Sequence, residues 1–130
     1  MIKQVTLFFG LFLVLAFVAT NTAVGVASAR DVWDFPQGTY TAGEFTIVFG
    51  DKGQFRVSHG EDAQVEGEYT IEKDQITLID KGGPMACGEG TEKGTYRWKY
   101  EADTLTFIKV DDQCSGRSEA LPAHPWKRKK

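Results

Sequence analysis

From position 38 onward, apolar and polar residues alternate with a period of two, and clusters of Gly, Asp and Lys interrupt the runs. That period is the pattern of short, half-buried antiparallel strands. It predicts a first strand over 40–49, with Phe45, Ile47 and Phe49 on one face. Tyr40 is out of phase with these three, and Gly43 between them reads as a bulge that restores the phase. Asp51-Lys52-Gly53 is the turn into a second strand over 55–59. If Phe49 stands opposite Phe55, the loop is a type I turn followed by a left-handed glycine. A second hairpin joins 65–71 to 76–79 across Lys73-Asp74, setting Ile71 opposite Ile76 and Tyr69 opposite Leu78. A third joins 95–100 to 105–110, with Tyr100 opposite Leu105 and Trp98 opposite Phe107. Cross-strand pairs of aromatic and branched side chains are what stabilise a sheet face.

Three segments begin Gly-x-Tyr, at Gly38/Tyr40, Gly67/Tyr69 and Gly94/Tyr96. The glycine allows a close approach or a kink, and the tyrosine supplies bulk two residues later on the same face. Six strands joined by short turns form a meander. Left flat, it would bare an apolar face and two edges, and curling it into a barrel removes both problems. The expected fold is all-β: a small antiparallel up-and-down meander of six to eight strands curled into a barrel. Residues 118–121 read as a further short strand. Residues 122–126 read as an extended tail that packs Trp126 onto the body, because Pro122 and Pro125 lack the donor a ladder needs. No helical stripe of useful length is visible after the leader.

The start of the chain has another character. Lys3 precedes an unbroken apolar run over 5–18, and small residues lead to Ala27-Ser28-Ala29. These are the marks of a secretory signal peptide cleaved after Ala29. The run is shorter than the roughly 20 residues of a membrane-spanning helix, and an uncleaved anchor is the other reading. The expected organisation is a signal peptide over 1–29, one barrel domain over 30–126 and a basic tail over 127–130. Export makes the compartment the periplasm or the medium.

Lys3 is the one charged residue of the leader. Of 15 Lys and Arg against 18 Asp and Glu, the remainder therefore carries a net −4, and −8 without the four cations of 127–130. A body of that sign is not a nucleic-acid binder, and the basic tail reads as solvated. Cys87 and Cys114 are the two cysteines, and in an exported chain they read as one disulfide. On the loop-entropy view that bond contributes about 3–4 kcal/mol, a large share of the roughly 5–15 kcal/mol of a small domain. It would tie the glycine-rich connection over 81–93 to the end of the last full strand.

No catalytic constellation emerges. His59 falls in a turn and His124 between prolines, and no motif joins either to Ser58, Ser115 or Ser118. Asp111-Asp112 reads as a strand-end turn whose aspartate accepts backbone donors rather than as a calcium site. We therefore expect no enzyme, no metal and no cofactor. The aromatic-rich inner face points to two functions. One is a binding module holding a small hydrophobic or amphipathic ligand against Phe45, Ile47, Phe55, Tyr69, Trp98 and Phe107. The other is a filled barrel serving as an interaction scaffold, for instance for an envelope protein or as a protease-inhibitor-like protein acting through its loops. A monomer with no transmembrane segment after cleavage is expected in either case.

Gly94-Thr95-Tyr96, Leu105-Thr106-Phe107 and the ending Asp112-x-Cys114-x-Gly116-Arg117 together resemble small exported bacterial lipocalin-like proteins of calycin type. The resemblance covers most of 38–126. It implies an up-and-down barrel, and an aromatic near the first strand covered by an arginine near the last. Here that pair would be Trp33 or Tyr40 with Arg117. A lipocalin has eight strands, whereas six are read directly here.

Overall fold

The computed structural model describes residues 34–130. The signal peptide expected over 1–29, and Trp33, lie outside the described residues. Among the described residues eight strands form: β1 (Gly38–Ala42), β2 (Phe45–Phe49), β3 (Gln54–His59), β4 (Asp62–Glu72), β5 (Gln75–Gly82), β6 (Lys93–Glu101), β7 (Thr104–Asp112) and β8 (Trp126–Arg128). One helix, α1 (Ser115–Ala123), stands between β7 and β8. Every strand pairs antiparallel with the next and β8 pairs with β1, so the meander closes into a barrel without a free edge strand. The registers Ile71↔Ile76, Tyr69↔Leu78, Tyr100↔Leu105 and Trp98↔Phe107 are those the alternation predicts.

Three expectations need correction. The first strand over 40–49 is two strands: Gly43 has φ +60° and opens a two-residue turn that sets Ala42 opposite Phe45. A lone positive φ at the first turn position is the tight hairpin that glycine serves best, so Gly43 reverses the chain instead of bulging it. The segment 118–121 is not a strand but lies in α1. The helix buries only Leu121, which leaves no apolar stripe to read in the sequence. It ends at Ala123 because His124 precedes Pro125 and takes extended angles, as a residue before proline prefers. Finally, Trp126 does pack inward, but it does so in β8 together with Lys127 and Arg128, which the sequence places in a solvated tail.

The turns 43–44 and 60–61, the loop 83–92 and α1 gather at one end of the barrel, here called the mouth. The turns 51–53, 73–74 and 102–103 gather at the other, the base. The base is stoppered from below by Phe35, whose ring lies 4.9 Å from Phe49, 5.6 Å from Tyr69 and 5.2 Å from Trp98. Tilted and edge-to-face rings at these separations add about 0.5–1.5 kcal/mol per pair beyond burial. Tyr40 and Tyr69 donate to the carbonyls of Pro36 and Gly50, so both hydroxyls are satisfied as their rings fill the base. Arg128 lies 5.3 Å from the ring centre of Tyr40 and 5.5 Å from that of Tyr100.

The mouth is shaped by register shifts. The pairing slips by one residue beside Val57, beside Glu66 and beside Thr95, leaving Gln64, Lys81 and Val110 as the extra residues. Bulges bend and twist a strand and re-aim its side chains. On β7 the consequence is direct. Phe107 and Asp112 are an odd number of residues apart, yet both are buried in the interior. The slip at Val110 turns a carboxylate inward.

Candidate functional site

Above the stoppered base, the barrel holds a cavity of about 740 Å³ that opens at the mouth. Its floor and walls are largely apolar: Ile47 from β2, Phe55 and Val57 from β3, Val65 from β4, Leu78 from β5, Leu121 from α1 and Trp126 from β8. Their in-phase positions on successive strands follow from the period-two pattern. Met85 and the disulfide sit in the wall contributed by the loop 83–92. Glu44 and His59, 3.0 Å apart, form an exposed pair at the rim.

Of the predicted lining residues, Phe45, Ile47 and Phe55 do line the cavity. Tyr69, Trp98 and Phe107 face inward but belong to the packed base, where Tyr69 and Trp98 meet Phe35 and Phe107 meets Phe49 and Tyr96. The bottom half of the barrel is thus filled and the top half hollow. Alternation identifies the inner face but not the height at which Phe35 blocks it. Val57 and Val65 were legible as in-phase neighbours of Phe55 and Gly67. Leu121 and the contribution of α1 carried no signal.

A charged cluster stands between the cavity and the loop. Arg117 of α1 is 9% exposed and reaches back into the barrel. Its Nε donates to Asp112 Oδ2 at 2.6 Å and its Nη2 to Asp112 Oδ1 at 2.8 Å, a bidentate clasp. Nη1 donates to the Glu92 carbonyl at 2.9 Å and Nη2 to the Thr91 carbonyl at 3.1 Å, which fastens the end of the loop. Nη1 also lies 2.9 Å from Oδ1 of Asp80. Tyr96 donates its hydroxyl to Asp112. Both aspartates serve the disulfide as well: Cys87 N–H donates to Asp80 Oδ2 at 2.8 Å, and Cys114 N–H to Asp112 Oδ1 at 2.9 Å. The sequence reading of Asp112 as an acceptor of backbone donors holds, with Arg117 as its further and stronger partner.

Burial alone would raise the Asp112 carboxyl, but the hydrogen bonds from Arg117, Tyr96 and Cys114 outweigh it, and the group is held below its usual 3.8. Burial, reinforced by the neighbouring carboxylate, pushes the Tyr96 phenol well above its usual range. Arg117 therefore does not cover Tyr40, as the resemblance implies, and Trp33 lies outside the described residues. Arg128 takes that place, its Nη2 3.0 Å from the Tyr40 hydroxyl and its Nε 3.1 Å from that of Tyr100. Among the described residues, no group of three or more His, Cys, Asp or Glu is arranged to hold a metal ion.

No protein-family model, no curated protein and no solved structure matches this chain. The geometry establishes an antiparallel eight-stranded barrel, consistent with a lipocalin-like one, closed on itself and pinned by one disulfide.

Proposed function

We propose that this protein is an exported binding protein that holds one small hydrophobic or amphipathic molecule in the mouth half of its barrel. The observation that carries the proposal is the cavity of about 740 Å³ walled by inward-facing apolar side chains. It falls within the roughly 300–1,000 Å³ range of small-molecule sites. The disulfide supports an oxidising compartment, periplasmic or extracellular. Binding rather than catalysis is the reading because, among the described residues, the histidine paired with a carboxylate, His59 with Glu44, is an exposed rim contact. The scaffold alternative has less support, since the loop 83–92 is committed to walling the cavity and to fastening Arg117.

Trp126 lines the cavity and Trp98 does not, which makes Trp126 the natural reporter. Protein purified without detergent is expected to retain a small molecule in native mass spectrometry. After delipidation, hydrophobic probes should change its Trp126 emission saturably. A Trp126→Phe variant that still bound a probe but lost the signal would confirm the location. No retained molecule and no saturable response to any probe would overturn the proposal.

A further inference from the structure

The buried charged side chains beside the chamber are engaged with one another, and this decides which end of a ligand goes in. A guanidinium carries five N–H donors. That of Arg117 meets five oxygens within 3.1 Å: both of Asp112, the carbonyls of Thr91 and Glu92, and Asp80 Oδ1. The carboxylates are equally occupied. Besides Arg117, Asp112 accepts the Tyr96 hydroxyl and the Cys114 N–H. Asp80 accepts the Cys87 N–H on Oδ2, and its Oδ1 is closed to solvent against Arg117. The cluster therefore walls one side of the cavity without offering an entering molecule a donor or an acceptor. The other polar side chains at the cavity are Thr41, Glu44, His59, Gln64, His124 and Lys127. They belong to the mouth-side strand ends and turns and to the segment after α1, and are exposed or half-buried. Below them the wall is apolar. Val57 and Val65 stand opposite each other on β3 and β4, and Phe55 lies one inward position deeper on β3.

We infer that the ligand is a single-chain amphiphile with one polar end, seated tail first: its chain runs past Val57 and Val65 to Phe55, and its head stays among the wet groups of the rim. This rests on the binding function proposed above and specifies the ligand class and its direction of entry. A head carried inward would lose its water and gain no hydrogen bond, which is unfavourable for any polar group and more so for a charged one. A head left at the rim keeps its water, and the exposed charges there act on it only weakly. The site therefore reads the chain and the number of polar ends, not the sign of the head.

Four ligands of equal chain length test this on the natural protein: dodecanol, dodecanoic acid, dodecylamine and 1,12-dodecanediol, each titrated at pH 7 below its aggregation or solubility limit. Calorimetry and Trp126 fluorescence are read together. The three single-headed ligands are expected to bind within about fivefold of one another, as weak exposed charges allow. The diol should bind at least tenfold more weakly than dodecanol, because its second hydroxyl must be buried without a partner. Nuclear Overhauser contacts with bound dodecanoic acid fix the direction independently. Its terminal methyl should contact the Phe55 ring and the Val57 and Val65 methyls, and the methylene beside its carboxylate should contact the exposed Met85 methyl. A spread of more than tenfold with the sign of the head, a diol as tight as the alcohol, or contacts in the reverse order would each overturn the inference and leave the binding function standing. Binding of none of the four would overturn both.

Discussion

Gly94 has no room for a side chain. A Cβ there would stand 2.5 Å from Asp112 Oδ2 and 2.8 Å from Arg117 Nη2, so the ion pair occupies the space a residue would need. Gly67 is similar, with a Cβ meeting the Ile79 carbonyl at 2.1 Å and the Phe55 ring at 2.6 Å. The close approach expected of glycine in the Gly-x-Tyr segments is therefore physical at both positions. The cluster that needs it was only half legible. Asp112, Cys114 and Arg117 stand together in the sequence, but nothing local says that Asp80, on a different hairpin, completes the set. The Asp112 carboxyl has a definite consequence for acid stability. A depressed folded-state pKa contributes stability that is full above the unfolded value of 3.8 and is lost as pH falls through the folded value. Urea midpoints followed from pH 6 to pH 2 should fall steepest below about pH 4. Asp112→Asn should flatten that acid limb, and an unchanged limb would remove Asp112 from the account.

At the scale of elements, hairpins were readable and their closure was not. Cross-strand partners follow from alternation once a turn is placed, which is why the β4–β5 and β6–β7 registers could be written down in advance. A two-residue turn led by glycine mimics a bulge, so β1 and β2 merged. A helix with one buried residue has no periodicity to detect. A three-residue closing strand behind Pro125 looks like a tail. The disulfide joins Cys114, the N-cap of α1, to the loop 83–92 that the sequence already ties to the end of the last full strand. Spanning 27 residues, it contributes about 3.5 kcal/mol on the loop-entropy view. Arg117 ties the same pieces without it. Reduction is therefore expected to keep the far-ultraviolet signature of the barrel while lowering urea stability by about 3–4 kcal/mol. Amide exchange should accelerate in 83–92 before it does in β4 or β5. A midpoint that did not move on reduction would show that the bond constrains little.

Across the whole molecule, the barrel divides into a solid lower half and a hollow upper half. The division depends on Phe35, a residue before the first strand that alternation cannot place. The tyrosines report on the lower half and its border. Burial raises the phenols of Tyr40, Tyr69 and Tyr96 above 10.0. A raised folded value means that stability is complete below pH 10 and is lost as pH climbs through the folded values. Phenolate absorbance at 295 nm from these three is expected to rise together with loss of near-ultraviolet circular dichroism. Phenolate formation by all three ahead of that loss would mean that they are open to solvent in the native barrel.

Both ends of the described chain emerge at the sealed base. Asp34 leads directly into the Phe35 stopper, Lys129 donates its backbone N–H to Thr39, and Lys130 approaches Asp103 at 3.7 Å. A tether, dye or fusion partner attached before Asp34 or after Lys130 would join the floor of the cup. Traffic in and out would proceed on the far side, past Met85 and the sulfur bridge, however the molecule was anchored.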